Sequence, residues 1–337
     1  VNATVKPKGK KETRCCIDLG SSYFRKLLVD LARGHDGPAI WAPVEDRVYE
    51  ERVYIGWGEE LAAGGDISLQ TRARAAEILK RLSAGITKRS GVRLTVVATN
   101  TLRVASNRRE IRRYLEERTG TAINVLSERG EAFLGFAGAT SGLRAGKPAI
   151  LVDPGGTSTE VSWGQAPDAS AFLSIPVGAH TRAVPGHDMS RMILDFIKGS
   201  KRSDVPAGDS PLPGTQESPT IMFTGGTAVS LAVIWNQMNG SEYNDVVSTV
   251  VSMEDLEEIS GRLGSLFRAG SQLSRALPPE RIRLLPQGLE IVRVLMRVLR
   301  GNKMTVTARD LRWGVVLGDG IKERGYLADE QESPDSR

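Results

Sequence analysis

Apolar and polar positions along the chain fall into two rhythms, and those rhythms place most of its elements. From Arg14 the run Cys15-Cys16-Ile17-Asp18-Leu19 is apolar apart from its aspartate; it gives way to Gly20-Ser21-Ser22 and resumes from Phe24 to Val29. Two extended runs joined by small residues predict a β-hairpin. A further extended run covers Val48–Ile55 and leads into a loop around Gly64-Gly65. Helical spacing then appears from Gln70 to Leu82, with Ala73, Ala76, Ile78 and Leu79 on the apolar side. Leu94–Ala98 reads as a strand, Glu110–Arg118 as a helix, Ile123–Leu126 as a strand and Ser127 to about Thr140 as a helix.

The stretch Ala149-Ile150-Leu151-Val152-Asp153 repeats the opening theme: an apolar strand ending in aspartate, then glycines and hydroxyls, then a return strand to Trp163. The two hairpins lie about 135 residues apart and hint at two related halves. Residues 198–219 are rich in Ser, Pro, Gly and Asp and predict a surface loop. After them come a strand at Ile221–Phe223, a turn at Gly225-Gly226, a helix from Ala228 and another over Met253–Phe267. The last long helix is expected over Pro286–Arg300, with Ile291, Val292, Leu295, Met296 and Leu299 buried. Pro286 suits its first turn and Gly301 its C-terminal cap.

A chain of 337 residues exceeds what one ordinary core organises, so two domains are expected. No run of 18 apolar residues occurs, which predicts no membrane partner, and the polar, lysine-rich residues 1–13 read as a flexible basic tail rather than a secretory signal. The only cysteines, Cys15 and Cys16, are adjacent, which fits reduced thiols and a cytoplasmic setting. Three histidines without zinc-site spacing point away from zinc, so oxygen-ligated Mg²⁺ is the better expectation for any metal. The net charge of +5 is compatible with a polyanionic partner without requiring one.

Four segments carry candidate chemistry: Ile17–Ser22, Val152–Glu160, Thr224-Gly225-Gly226-Thr227 at a helix entry, and Ser127-Glu128-Arg129-Gly130-Glu131 opening another helix. Glycines let backbone approach a ligand, successive amides form an anion-binding concavity, and a helix N-terminus adds to it. An aspartate beside bound phosphate needs an intervening cation, so Asp18 and Asp153 imply Mg²⁺. No GxxxxGK[ST] is present, which closes the P-loop route.

The two aspartate-bearing turns with Gly-Gly-Thr resemble the phosphate loops of the actin-like ATPase superfamily. More narrowly, the chain resembles the exopolyphosphatase / guanosine-pentaphosphate phosphohydrolase family over roughly residues 14–320. The similar segments are Ile17–Arg25, Thr99–Asn107, Ser127–Ala132, Val152–Glu160, Pro176–Ala179, Gly225–Thr227 and Leu311–Gly314. This resemblance implies an α/β protein of two ribonuclease-H-like domains with a cleft between them. One domain would cover residues 14–129 with about 310–328, the other residues 130–309. It implies Glu131 as the base that activates water. It implies phosphate contacts from Gly20, Ser21, Ser22, Arg103, Gly155, Gly156, Thr157, Ser158, Thr159, Gly225, Gly226 and Thr227, and Mg²⁺ held by Asp18, Asp153 and Glu160. Inorganic polyphosphate is the expected substrate and guanosine pentaphosphate the alternative. No nucleic-acid partner is expected, and a homodimer stays open.

The residues around Glu131 are compatible with this role: Ala132, Phe133, Leu134 and Phe136 give a partly apolar setting that suits a general base. A first-turn glutamate serving only the helix dipole is the plainer alternative. The chain departs from the family at Ser22 and Tyr23, at Pro154 and Thr157, and at Phe133, where an arginine is usual. Ser22 and Phe133 keep open a third reading, a non-catalytic sensor of polyphosphate or an alarmone. Finally, Arg293, Arg297 and Arg300 recur at helical spacing, with Arg281 and Arg283 upstream, and form either a channel wall for a long anion or a solvated face.

Overall fold

A computed structural model describes residues 11–33, 41–86, 91–181, 188–200, 205–240, 248–266, 277–318, 321 and 325–328. The expected basic tail lies outside them up to Lys10, whereas residues 11–13 already belong to the first strand. The chain divides into two compact units, residues 1–134 with 312–337 and residues 135–311. Among the described residues no helix is long and apolar enough to cross a membrane.

The first unit contains β1 (Lys11–Leu19), β2 (Tyr23–Arg33), β3 (Trp41–Tyr54), α1 (Trp57–Gly64), α2 (Leu69–Ser83), β4 (Val92–Ala98), α3 (Asn100–Val104), α4 (Arg108–Thr119) and β5 (Ile123–Val125). It also holds the start of α5 (Glu128–Thr140) and most of α10 (Leu311–Leu317). Its sheet runs β3-β2-β1-β4-β5, antiparallel along the opening meander and parallel from β1 to β4 and β5. β1 is paired on both sides, and Arg14 through Leu19 are all buried. Ile17, Leu19 and Phe24 pack with Leu79 and Leu82 of α2 and with Ile111 and Leu115 of α4. Such near-continuous apolar character is what a central strand covered by helices requires.

The second unit repeats the plan with β6 (Pro148–Pro154), β7 (Thr159–Gln165), β8 (Asp168–Ile175), α6 (Met189–Gly199), β9 (Thr220–Phe223), α7 (Gly225–Met238), β10 (Thr249–Ser252), α8 (Met253–Leu266), α9 (Pro279–Val298) and β11 (Lys303–Val306). The order is β10-β11-β9-β6-β7-β8: a three-stranded meander, two parallel additions and one antiparallel edge strand. Ile150, Val152 and Phe223 face Leu231 of α7 and Ile291 and Leu295 of α9. The shared meander-then-parallel order is the ribonuclease-H-like topology of the actin-like ATPase fold.

Several expectations shift. α2 buries Ala75, Ala76, Ile78 and Leu79 and exposes Ala73. α7 begins at Gly225, three residues before the expected Ala228. α9 begins at Pro279, which takes the first helical position, so Pro286 lies inside the helix on its exposed side. A proline tolerates that place where solvent can hydrate the carbonyl its missing N–H abandons. The expected end of α8 at Phe267 falls outside the described residues.

At the end of α9 the left-handed residue is Arg300, φ 49°, and not Gly301. Gly301 N–H bonds back to Met296 O at 2.9 Å, which closes the last turn. A left-handed conformation costs an L-residue about 1–2 kcal/mol, partly offset in Arg300→Gly by the freer unfolded chain. Arg300→Gly should therefore raise Tm by about 1–4 °C, read by thermal melting; a fall in Tm would show that the arginine side chain stabilises more than the strain costs.

Candidate active site

In each unit the hairpin turn is formed by small residues and held from behind by another segment of the same unit. In the first unit, Gly20 N–H closes the turn on Tyr23 O at 3.2 Å. The turn's carbonyls are then taken one by one. Trp57 Nε1 donates to Gly20 O at 2.8 Å. Gly58 N donates to Ser21 O at 2.9 Å, and Ile55 N and Gly56 N to Ser22 O at 2.9 and 3.2 Å. Trp57 is itself fixed edge-on against Phe24, with ring centroids 4.9 Å apart. Tyr23, the bulky departure in this turn, turns its ring inward against Tyr54 at 5.3 Å and is buried.

The second unit holds its turn the same way. Gly155 N closes on Ser158 O at 2.9 Å, while Ala179 N and His180 N donate to Gly155 O and Gly156 O at 3.0 and 2.7 Å. Thr159 Oγ1 donates to Val177 O at 2.7 Å, so that hydroxyl serves the turn's frame. Carbonyls occupied from behind leave each turn one favourable orientation, the order that an anion-binding backbone needs.

The acidic residues sit at matched positions with opposite neighbours. Asp18 is opposed by Arg25 across β1–β2, and Asp153 by Glu160 across β6–β7. Directly opposed residues share a face of the sheet. The Asp18 side chain is fully buried and accepts from Arg25 Nε at 3.0 Å and Nη2 at 2.5 Å. Asp153 and Glu160 form a carboxylate pair, with Glu160 buried and accepting from Ser174 Oγ at 3.2 Å. Two carboxylates on one face suit a hard cation that completes its shell with water and phosphate oxygens. Among the described residues no group of three or more His, Cys, Asp or Glu side chains that could hold a metal ion occurs.

Glu131 and Arg103, far apart in sequence, meet in the first unit. Ser127 caps α5: its Oγ accepts from Gly130 N at 3.0 Å and its carbonyl from Glu131 N at 2.9 Å. Glu131 Oε2 accepts from Arg103 Nη1 at 2.6 Å, and the same nitrogen donates to Leu126 O at 3.0 Å. The arginine side chain is 7% exposed and the glutamate 14%. The setting of Glu131 is thus an ion pair and not simply apolar. Phe133 lies two residues on, about 200° around the helix, where it packs on Tyr326 at 6.2 Å and under the Arg129 guanidinium at 5.0 Å. The aromatic departure therefore occupies a different helix face from the carboxylate.

At the start of α7, Thr224 Oγ1 donates to Arg309 O at 2.8 Å, and Gly225 takes φ 79°. A Cβ on Gly225 would collide with Asp153 Oδ1, and one on Gly226 with the Arg281 guanidinium. The two glycines thus admit a carboxylate and a guanidinium side by side at the helix N-terminus. Thr227, expected to contact phosphate, is buried with its side chain against Gly288 of α9. Arg25 is not among the site residues the sequence singles out, although the register of the first hairpin signals it; Arg281 enters the sequence only beside the basic stripe, and nothing local signals its place against Gly226. The basic stripe resolves into ion pairs: Arg293 binds Glu257 at 2.6 Å and Glu290 at 3.0 Å, and Arg297 binds Glu257 at 3.2 Å. Hydrogen bonding from Arg293, with help from Arg297, holds the Glu257 carboxyl below its ordinary value. Arg293 and Arg297 form a salt-bridged face.

A family model described as the Ppx/GppA phosphatase family matches residues 46–323. Among solved structures, the Aquifex aeolicus member of that family aligns at 19% identity and TM-score 0.69, over 93% of this chain and 99% of that one. An exopolyphosphatase from Cytophaga hutchinsonii aligns at 18% identity and TM-score 0.71, over 90% and 96%. An exopolyphosphatase-like protein aligns at 20% identity and TM-score 0.74, over 93% and 99%. At such identities the structural likeness establishes the fold.

Proposed function

The chain belongs to the Ppx/GppA phosphatase family, and from that premise we propose that it is an exopolyphosphatase releasing terminal orthophosphate from inorganic polyphosphate. The observation that carries this reading is the pairing of Glu131 with Arg103 at the capped start of α5. A glutamate serving only the helix dipole needs no arginine at 2.6 Å, whereas a base needs its carboxylate held in one orientation.

Glu131 accepts a proton from water as the water oxygen attacks the terminal phosphorus. The bond from that phosphorus to the bridging oxygen breaks, its electron pair stays on the bridging oxygen, and the products are orthophosphate and a chain shorter by one unit. Arg103 keeps the carboxylate oriented. Arg281 on Gly226 presents a guanidinium suited to phosphate oxygens, and the amides of the Gly20–Ser22 and Gly155–Ser158 turns add neutral donors. Mg²⁺, held by Asp153 and Glu160, supplies charge neutralisation of phosphate oxygens when bound. We read Asp18 as the anchor of Arg25 in preference to a third metal ligand, because Arg25 already gives it two hydrogen bonds. Positioning and electrostatics then provide most of the rate enhancement.

A divalent-ion requirement follows from the Asp153–Glu160 pair. Hydrolysis should cease in excess chelator and return with Mg²⁺; full activity after verified metal removal would contradict the assignment.

Glu131→Gln keeps size and hydrogen-bonding shape and removes the proton acceptor. Its kcat on polyphosphate should fall by about 10²–10⁴-fold, while polyphosphate binding persists on the same folded preparation. Unchanged kcat would remove Glu131 as the base.

A further inference from the structure

We infer that residues 325–328 act as a positioning strap for the Glu131 carboxylate, with Tyr326 as the anchor; this rests on reading Glu131 as the base. The strap reaches α5 through the residue that caps it. Tyr326 O accepts from both Ser127 N at 2.9 Å and Ser127 Oγ at 3.2 Å. With its proton directed at Tyr326, the Ser127 hydroxyl oxygen turns a lone pair to Gly130 N at 3.0 Å. The serine is thereby fixed from outside the helix, and it is Ser127 O that receives Glu131 N at 2.9 Å.

Neighbouring contacts tie the strap to the same place. Leu327 bridges Leu126 in antiparallel fashion, and Ala328 N donates to Val125 O at 2.9 Å. Leu126 O is also the second acceptor of Arg103 Nη1, the nitrogen that holds Glu131. One short segment therefore contacts the residues that set both the helix start and the arginine. The Tyr326 ring is buried against Phe133, which explains how an aromatic residue is accommodated there.

Gly130 makes the approach feasible. A Cβ at this position would collide with Tyr326 O and lie 2.8 Å from Tyr326 Cβ. The first of these is backbone and cannot swing aside, so a methyl group must displace the strap or the helix start.

The test is Gly130→Ala in the full chain, with kcat and KM for polyphosphate and Tm measured together. Gly120→Ala is the control: Gly120 is left-handed at the end of α4, and its added Cβ meets nothing within 4 Å. Both variants should lose Tm. Gly130→Ala alone should lose kcat, by about 10–100-fold, with KM within about twofold. A Gly130→Ala protein that keeps kcat and loses only Tm overturns the strap. Should that variant fail to fold, Tyr326→Ala decides: it keeps the carbonyl, removes the ring from Phe133, and should lower kcat about tenfold with KM unchanged; unchanged kcat overturns the inference. Failure of the underlying reading is distinguishable, because then Glu131→Gln itself retains turnover.

Discussion

A carboxylate near the tip of a buried strand requires a partner, and the two units place opposite kinds of residue across from it. In both units the aspartate ends the first strand of the meander, and the residue seven positions on comes back directly opposite it. Arg25 fills that place in the first unit and neutralises Asp18 within the protein. Glu160 fills it in the second, where it accepts from Ser174 Oγ. The same hairpin thus opposes its aspartate with an arginine in one unit and with a second carboxylate in the other. Gly225 lies against Asp153 and Gly226 against Arg281, so both side chains gather at the N-terminus of α7.

Everything else holds these few groups still. The turn carbonyls are occupied by Trp57, Ile55, Gly56 and Gly58 in one unit and by Ala179 and His180 in the other. These partners come from segments beyond each hairpin, so turn geometry is tied to the packing of the whole unit. Trp57 shows the coupling: its ring belongs to the core, and its Nε1 reaches Gly20. Glu131 is fixed by the same logic, through a capped helix start and a buried arginine.

Most of the fold was legible because its signals are local. The apolar runs of β1, β4 and β6 and the stripe Ile291, Val292, Leu295, Met296 on α9 appear in the structure where periodicity places them. The start of α9 was misplaced because two prolines compete as first-turn residues, and only packing decides that Pro279 wins over the exposed Pro286. Gly301 drew the cap assignment by its type, although the left-handed position falls on Arg300. Within the candidate site, Asp18, Glu131 and the glycine turns stood out by motif. Arg103 stands out by motif as a phosphate contact, but its pairing with Glu131, 28 positions away, does not; Arg25 depends on hairpin register, and Arg281 on the packing of α9 beside α7. The arginine stripe on α9 leaves a channel wall and a solvated face both open in the sequence, since Glu257, which pairs with Arg293 and Arg297, comes from another helix.

The central claim is that this arrangement hydrolyses a phosphate chain and does not merely bind one. The most direct measurement is orthophosphate release by the unaltered protein, with Mg²⁺, from long-chain polyphosphate and from guanosine pentaphosphate side by side. The account predicts multiple turnovers on polyphosphate and a higher kcat/KM there than on guanosine pentaphosphate. Tight polyphosphate binding without release of orthophosphate from either substrate would contradict it and return the protein to the class of sensors.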